Sequence, residues 1–269
     1  MTEPAPRTAR IRPRRRFGQH LLHDPAVIAR IVAAIDPRRG EPLVEIGPGL
    51  GALTLPLLER CGRLEVVEID RDMIAALSAR AHGVGELIVH AADALKLDFA
   101  ALAAGRQLRV CGNLPYNIST PLLFHLLESA GCVADMHFML QREVVARIAA
   151  VPGSHAYGRL TVMLAARVSA AHLFDVGPGA FRPAPKVQSA IVRLVPHRQP
   201  PFAIDEPVRF ARVVAAAFGQ RRKTLRNSLA AMVSPAGFTA AGIDPGRRAE
   251  TLSPAEFARL AATPGPSPL

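Results

Sequence analysis

Three cysteines, Cys61, Cys111 and Cys132, are all that the 269-residue chain carries. Their number is odd, their spacing is wide, and no CxxC pair or Cys/His ligand spacing occurs. A disulfide framework and a zinc site are thereby excluded, and the cysteines read as buried thiols of a reducing compartment. No metal is expected. No apolar run reaches membrane-spanning length. The basic N-terminus is not followed by the apolar segment that a secretory signal needs, so a cytoplasmic location is expected. There is no internal repeat. No Gly-Lys-Ser/Thr follows the glycine-rich loop described below, which excludes a P-loop. No Tyr-x-x-x-Lys occurs, and no His/Arg pair of the kind that holds a substrate acid, so nothing resembles a hydride-transfer site.

What is present is a large apolar reserve, 49% of residues, enough for one large domain and a smaller one. The formal net charge is +11. Its distribution is uneven: residues 41–100 hold ten acids and five bases, a balance of −5, which leaves the remainder at +16. An acidic stretch between basic flanks suits a small-molecule site in one region and a polyanion-binding surface elsewhere.

Residues 1–16 are rich in Pro and Arg and read as a flexible basic arm. A helix is predicted from Pro25, with Asp24 as its N-cap, to about Ile35. Apolar runs at 43–46, 64–69, 87–90 and 108–111 alternate with helical periodicity at 50–61, 71–81 and 120–130. That alternation predicts parallel βαβ units in an α/β, Rossmann-like, doubly wound domain over residues 17–200. Further strands are expected at 135–140, near 167–175 and at 189–195, the last two as an antiparallel pair. The proline-rich segment 196–207 reads as a linker. A small all-helical domain follows over 201–262, and 263–269 reads as a disordered tail.

Gly47, Gly49 and Gly51 alternate between a predicted strand and a predicted helix, where glycine permits a tight turn and close approach to a ligand. The next strand ends in Glu68-Ile-Asp70, with Glu68 twenty-one residues after Gly47. An acid at that offset accepts hydrogen bonds from both ribose hydroxyls of a nucleoside ligand. A third strand leads to Asp93, placed to accept from an adenine amine. Three such ligands at successive strand ends favour S-adenosylmethionine over NAD as the cofactor.

After the strand at 108–111 comes Asn113-Leu-Pro-Tyr116. An exocyclic adenine amine is a weak nucleophile because its lone pair is delocalised into the ring. The Asn113 side-chain oxygen and a backbone carbonyl at Leu114 or Pro115 would accept its two N–H hydrogens and free that lone pair. Pro115 would stiffen the turn and Tyr116 would stack on the base. Phe181, in a Gly/Pro-rich stretch between two predicted strands, reads equally as core or as a stacking residue.

Arg221, Arg222, Lys223 and Arg226 fall in one predicted helical stretch, and the 222/226 spacing places two guanidinium groups on one face. Arg142, Arg147 and Arg159 are candidates to line the approach to the pocket.

Together these motifs resemble those of ribosomal RNA adenine dimethyltransferases of the KsgA/RsmA type, from Arg14 to about Leu260. The residues are Arg16-Phe-Gly-Gln-His-Leu-Leu22, Glu45-Ile-Gly-Pro-Gly-Leu-Gly-Ala-Leu-Thr54, Glu68-Ile-Asp-Arg-Asp72 and Gly112-Asn-Leu-Pro-Tyr-Asn-Ile-Ser-Thr-Pro121. They continue in Met136-His-Phe-Met-Leu-Gln-Arg-Glu143, Ala156-Tyr-Gly-Arg-Leu160, Phe181-Arg-Pro-Ala-Pro-Lys-Val187 and Phe218-Gly-Gln-Arg-Arg-Lys-Thr-Leu-Arg-Asn-Ser-Leu229. One departure is visible: Gln-His-Leu-Leu stands where many relatives have Gln-Asn-Phe-Leu.

The resemblance implies a class I methyltransferase that dimethylates two adjacent adenosines in the 3′-terminal hairpin loop of 16S ribosomal RNA, four methyl groups in all. Its partner would be a late assembly intermediate of the small ribosomal subunit, with a role in subunit biogenesis, and the chain would act as a monomer. It implies cofactor contacts at His20, Leu22, Gly47, Gly49, Glu68, Asp93 and Asn113. It implies target-amine contacts at Asn113, Leu114 and Tyr116, with Phe181 on the other side of the base. RNA contacts would fall to Arg142, Arg147, Arg221, Arg222, Lys223 and Arg226. The competing readings are a macrolide-resistance type 23S ribosomal RNA methyltransferase and a primarily non-catalytic assembly factor. DNA adenine methylation usually goes with a proline where this chain has Leu114.

Overall fold

The structure is a computed structural model that describes residues 20–220 and 222–264. It opens with a short strand, β1 (Leu21–Leu22), and helix α1 (Pro25–Ile35). Four strand–helix pairs follow: β2 (Leu43–Ile46) and α2 (Thr54–Cys61), β3 (Arg63–Glu68) and α3 (Arg71–Ala81), β4 (Glu86–Ala91) and α4 (Phe99–Ala103), β5 (Leu108–Asn113) and α5 (Ser119–Glu128). Then come β6 (Val133–Gln141), α6 (Arg142–Ile148), α7 (Arg159–Ala165), β7 (Val168–Val176), β8 (Phe181–Arg182) and β9 (Ser189–Pro196). Helices α8 (Pro207–Gly219), α9 (Leu225–Ser228), α10 (Pro235–Ala241) and α11 (Pro254–Ala262) close the described chain.

The chain divides into two compact units. The first runs through Leu140 and takes in Asp175–Ile191; the second is Gln141–Phe174 with Val192 onward. The second unit therefore includes residues 141–174, whereas the composition placed the boundary in the proline-rich segment 196–207. Prolines mark where a chain stops being regular, not which elements share a core.

Seven strands form one sheet in the order β4-β3-β2-β5-β6-β9-β7. The ladders β4/β3, β3/β2, β2/β5 and β5/β6 are parallel. Strand β2 is buried along its whole length, as a central strand covered on both faces should be. It lies between β3 and β5, so the order of connection reverses there. At such a reversal an open α/β sheet leaves a crevice outside the strand ends. A separate two-stranded ribbon pairs β1 with β8, Leu21 opposite Arg182 and Leu22 opposite Phe181.

Local chemistry sets these boundaries. Asp24 Oδ1 accepts from the N–H groups of Ala26 and Val27 at 2.9 and 3.1 Å, and Pro25 takes the first turn of α1, where its missing N–H costs nothing. Arg109 on β5 is tied to Asp135 on β6 at 2.9 Å and to Glu41 at 2.8 Å, which fixes the strand that carries the 113–116 turn.

In the second unit, Phe210, Val213, Leu225, Leu229, Phe238, Leu252, Phe257 and Leu260 belong to one core. Tyr157 donates its hydroxyl to the Leu252 carbonyl at 2.7 Å. Arg209 on α8 donates to the carbonyls of Met232, Ala261 and Thr263, so at least one arginine here is structural. Ser253 and Glu256 form a capping box at the start of α11.

Two expectations are corrected. Residues 222 to 226 are not one helical stretch: α9 begins only at Leu225, and Arg222 and Lys223 lie in the turn before it. Leu225 and Arg226 donate their N–H groups to the carbonyls of Arg247 and Pro245, so tertiary partners replace the helical ones. The expected disordered tail also starts too early, because Thr263 is buried, with its carbonyl held by Arg209. The arm at 1–16, Arg221 and residues 265–269 lie outside the described residues. Among the described residues, no helix is long and apolar enough to cross a membrane.

Candidate active site

The carboxyl ends of β2, β3, β4 and β5 meet at one cavity, lined by Gly47, Gly49, Glu68, Asp93, Asn113, Leu114, Pro115, Tyr116 and His20 together with apolar neighbours. Gly47 and Gly49 stand at φ 69° and 54°, in the left-handed region that only glycine enters without strain. A Cβ on Gly49 would touch Leu21 Cδ2 at 3.4 Å, and one on Gly47 would lie 3.9 Å from the Asn113 carbonyl. The glycine loop and the end of β5 thus stand side by side at the cavity.

Glu68 ends β3. Its Oε1 accepts from the N–H groups of Ile69 and Asp70, both at 2.9 Å, and Oε2 accepts a longer bond from Gly49 N at 3.4 Å. Burial pushes its carboxyl above the ordinary range; these backbone donors oppose the shift and Asp70 adds to it. Asp93 is half-buried, with Oδ1 accepting from Leu95 N at 3.0 Å.

Glu45, one residue before the cavity wall at Ile46, is buried, and its Oε2 has no hydrogen-bond partner. Burial pushes this carboxyl up to about 7; the neighbouring Thr54 hydroxyl opposes the shift and Glu68 reinforces it. Sequence reasoning gave Glu45 no role. An acid inside a strand that is otherwise apolar is the signal that would have singled it out.

At the end of β5, Asn113 Nδ2 donates to the His20 carbonyl at 3.0 Å. Leu114 is buried, and its N–H donates to the Met139 carbonyl at 3.2 Å. The Pro115 carbonyl accepts from Ile118 N at 3.1 Å, closing the turn. The Tyr116 ring stacks on His20 with centroids 5.9 Å apart and planes at 30°. The His20 Nδ1 pairs with the Pro183 carbonyl at 2.8 Å.

Two residues expected at the site do not line it. Phe181 is 2% exposed, buried where β8 pairs with β1, and offers no exposed ring. Leu22, opposite it, is buried as well, and it is Leu21 that reaches the cavity. Side chains alternate along a strand, so the ribbon turns Leu21 and Leu22 to different sides. Arg142 and Arg147 are exposed on α6, where Arg147 pairs with Glu143. Arg222, Lys223 and Arg226 are exposed in the second unit. Ile69, an exposed apolar residue on the cavity rim directly after Glu68, was missed.

A parallel sheet that reverses its strand order beside a glycine loop, with acids at the next two strand ends, defines a class I S-adenosylmethionine-dependent methyltransferase. Within that class the chain belongs to the ribosomal RNA adenine dimethylase family, which it matches over residues 10–263. It is 58% identical over 245 residues to the ribosomal RNA small subunit methyltransferase A of Xanthomonas campestris pv. campestris, covering 91% of this chain and 94% of that one. Among solved structures it is similar to a dimethyladenosine transferase from Plasmodium falciparum, with a TM-score of 0.74 at 25% identity over 90% of this chain and 96% of that one. It is also similar to the 23S rRNA methyltransferase ErmE, with a TM-score of 0.71 at 26% identity over 89% and 97%.

Proposed function

We propose that this enzyme dimethylates the N6 amines of two adjacent adenosines in the 3′-terminal hairpin loop of 16S ribosomal RNA, four transfers in all, in a small-subunit assembly intermediate. The observation that carries the reading is that Asn113-Leu-Pro-Tyr116 lines the same cavity as the glycine loop and Glu68.

The cavity fits S-adenosylmethionine. Its wall holds carboxylates and apolar side chains and, among the lining residues, no Lys or Arg. The unpartnered Glu45 oxygen close behind adds further demand for positive charge. Such a wall favours a cationic ligand over a phosphate-bearing dinucleotide. When bound, the cofactor supplies an electrophilic methyl group on a sulfonium. Glu68 and Asp93 would hold its ribose and adenine, and the loop at Gly47 and Gly49 would let it approach the backbone, with His20 and Leu21 beside it.

The remaining work belongs to the turn. Because Asn113 donates its amide N–H to His20, its Oδ1 is turned toward the role of acceptor. The Pro115 carbonyl is engaged by Ile118, which leaves the Leu114 carbonyl as the second acceptor for the adenine amine. Two acceptors on one amine favour a tetrahedral nitrogen and expose its lone pair. Tyr116 covers the base, and alignment and electrostatics supply the rate.

The exposed Arg142, Arg147, Arg222, Lys223 and Arg226, with Arg221 beside them in sequence, supply cations for RNA phosphates. The enzyme acts as a monomer in the cytoplasm. Fold likeness does not decide against the 23S reading, since the 23S rRNA methyltransferase ErmE matches with a TM-score of 0.71. The 58% identity over 91% of the chain to a ribosomal RNA small subunit methyltransferase A supports the small-subunit reading.

The deciding experiment supplies labelled S-adenosylmethionine to the purified protein with small subunits lacking adenine dimethylation, then identifies the nucleosides by mass spectrometry. Dimethyladenosine in the 3′-terminal hairpin is the expected product. Label on large-subunit RNA instead would favour the resistance-type reading. Binding without transfer would favour an assembly factor.

A further inference from the structure

Tyr116 is held at three points. Its carbonyl accepts from Ser119 Oγ at 3.1 Å, its ring stacks on His20, and its hydroxyl shares a 2.7 Å hydrogen bond with Ser189 Oγ. Ser189 is the first residue of β9, seventy-three positions away, and is 0% exposed. It neither lines the cavity nor belongs to the 113–116 turn.

These tethers act on different motions. A tyrosine hydroxyl lies on the axis about which the ring spins, so fixing it stops the ring swinging about χ1 but leaves the spin largely free. Stacking against His20 restrains the spin. Ser189 thus sets where the ring points, and His20 sets its plane. Burial holds the Tyr116 phenol above its ordinary value, against the opposing effect of the Ser189 hydroxyl. The ring stays neutral and suited to stacking.

We propose that Ser189 is a positioning residue for methyl transfer: by anchoring the Tyr116 hydroxyl it fixes the direction of the ring that covers the target adenine, and so the approach of the adenine amine to Asn113. The proposal rests on the functional reading above, in which Tyr116 stacks on the base. Ser189 touches neither cofactor nor base; it acts through Tyr116. A misplacement of about 1 Å in such a constellation is enough to lower the rate severely.

The test is a kinetic double-mutant cycle on the full chain with small subunits as substrate. Ser189→Ala, Tyr116→Phe and the double variant are compared with Ser189→Thr, which keeps the hydroxyl and suits a strand. Ser189→Ala is expected to lower kcat about tenfold, roughly the loss of one well-placed hydrogen bond. KM for the subunit, cofactor Kd and melting temperature should stay near wild type. Tyr116→Phe should match that loss, the double variant should add nothing to it, and Ser189→Thr should recover most of the rate. Wild-type kcat in Ser189→Ala overturns the proposal. Additive losses in the double variant overturn it too, as does a loss that tracks melting temperature and is not rescued by threonine. Absence of transfer by the wild-type enzyme overturns the functional reading itself, a result distinct from all of these.

Discussion

Asn113 reaches ninety-three residues back along the chain to donate its amide to the His20 carbonyl at 3.0 Å. The segment before β1 thereby sets the orientation of the side chain that is to receive the target amine. His20 holds that wall twice, through its carbonyl to Asn113 and through its ring to Tyr116.

Asn113→Ala removes the amide oxygen from a half-buried position without opening the core. Melting temperature is expected to change little, and cofactor affinity to fall far less than transfer does, since Asn113 is one of several residues lining the cofactor's cavity. Transfer should fall by about 10²–10³, the usual effect of losing one preorganised polar contact to a developing charge. Incorporation of labelled methyl groups measures it, and full activity in the variant would sink the proposed role of Asn113.

Gly112→Ala should be far worse for the fold than its size suggests. A Cβ there would stand 2.3 Å from the Ile46 carbonyl oxygen, in a strand paired on both sides that has little room to retreat. A loss of about 1–3 kcal/mol is expected, with weaker cofactor binding because β2 and β5 frame the cavity. Gly131→Ala, with nothing within 4 Å of its Cβ, serves as control and should change stability by less than about 0.5 kcal/mol. Thermal melting of the two variants checks the contrast.

Glu45 makes stability depend on pH. Burial raises its carboxyl from 4.5 to about 7, with Thr54 opposing and Glu68 adding to the shift. Between those values the folded state binds more protons than the unfolded one, so stability falls as pH rises through this window and is greatest below it. Glu45→Gln should therefore melt higher than wild type at pH 8, by an amount on the order of 1–3 kcal/mol, and the gap should close near pH 5. Glu68 is raised in the same direction, so the substitution should flatten the profile only in part. Melting curves across pH test the sign.

Arg222→Glu with Lys223→Glu reverses two exposed cations in the turn before α9. Affinity for the small subunit should fall, and the slope of log affinity against log salt should become shallower by about 2. Cofactor affinity should not move. If cofactor affinity and subunit binding are lost together, these residues serve folding rather than RNA.

How far the sequence reading reached depended on the range of the interaction concerned. Asp24 and Pro25 announce the start of α1 because a cap is satisfied within three residues. Glu68 and Asp93 could be placed at strand ends because alternating strands and helices bring successive carboxyl ends to one edge. Phe181 was ambiguous in the sequence for the opposite reason. Its burial depends on β8 finding β1 some 160 residues earlier, and prolines nearby are equally compatible with an exposed loop. The turn at Arg222 was misread because helical spacing does not reveal that the carbonyls of Arg247 and Pro245 capture the N–H groups of Leu225 and Arg226.

The alternation of strands and helices from β2 to β5, the glycine turn, the acids at the strand ends and the Asn-Leu-Pro-Tyr turn were legible in the sequence, since each is written in neighbouring residues and their periods; β1, α4, α6, α7 and β8 were not. Only the tertiary structure decided that Leu21 rather than Leu22 faces the cavity and that the Asn113 amide is turned by His20. It alone joined residues 141–174 to the helical unit and set Tyr116 on Ser189. Those outcomes are pairings between residues remote in the chain, and a contact of that kind leaves no local trace in either partner.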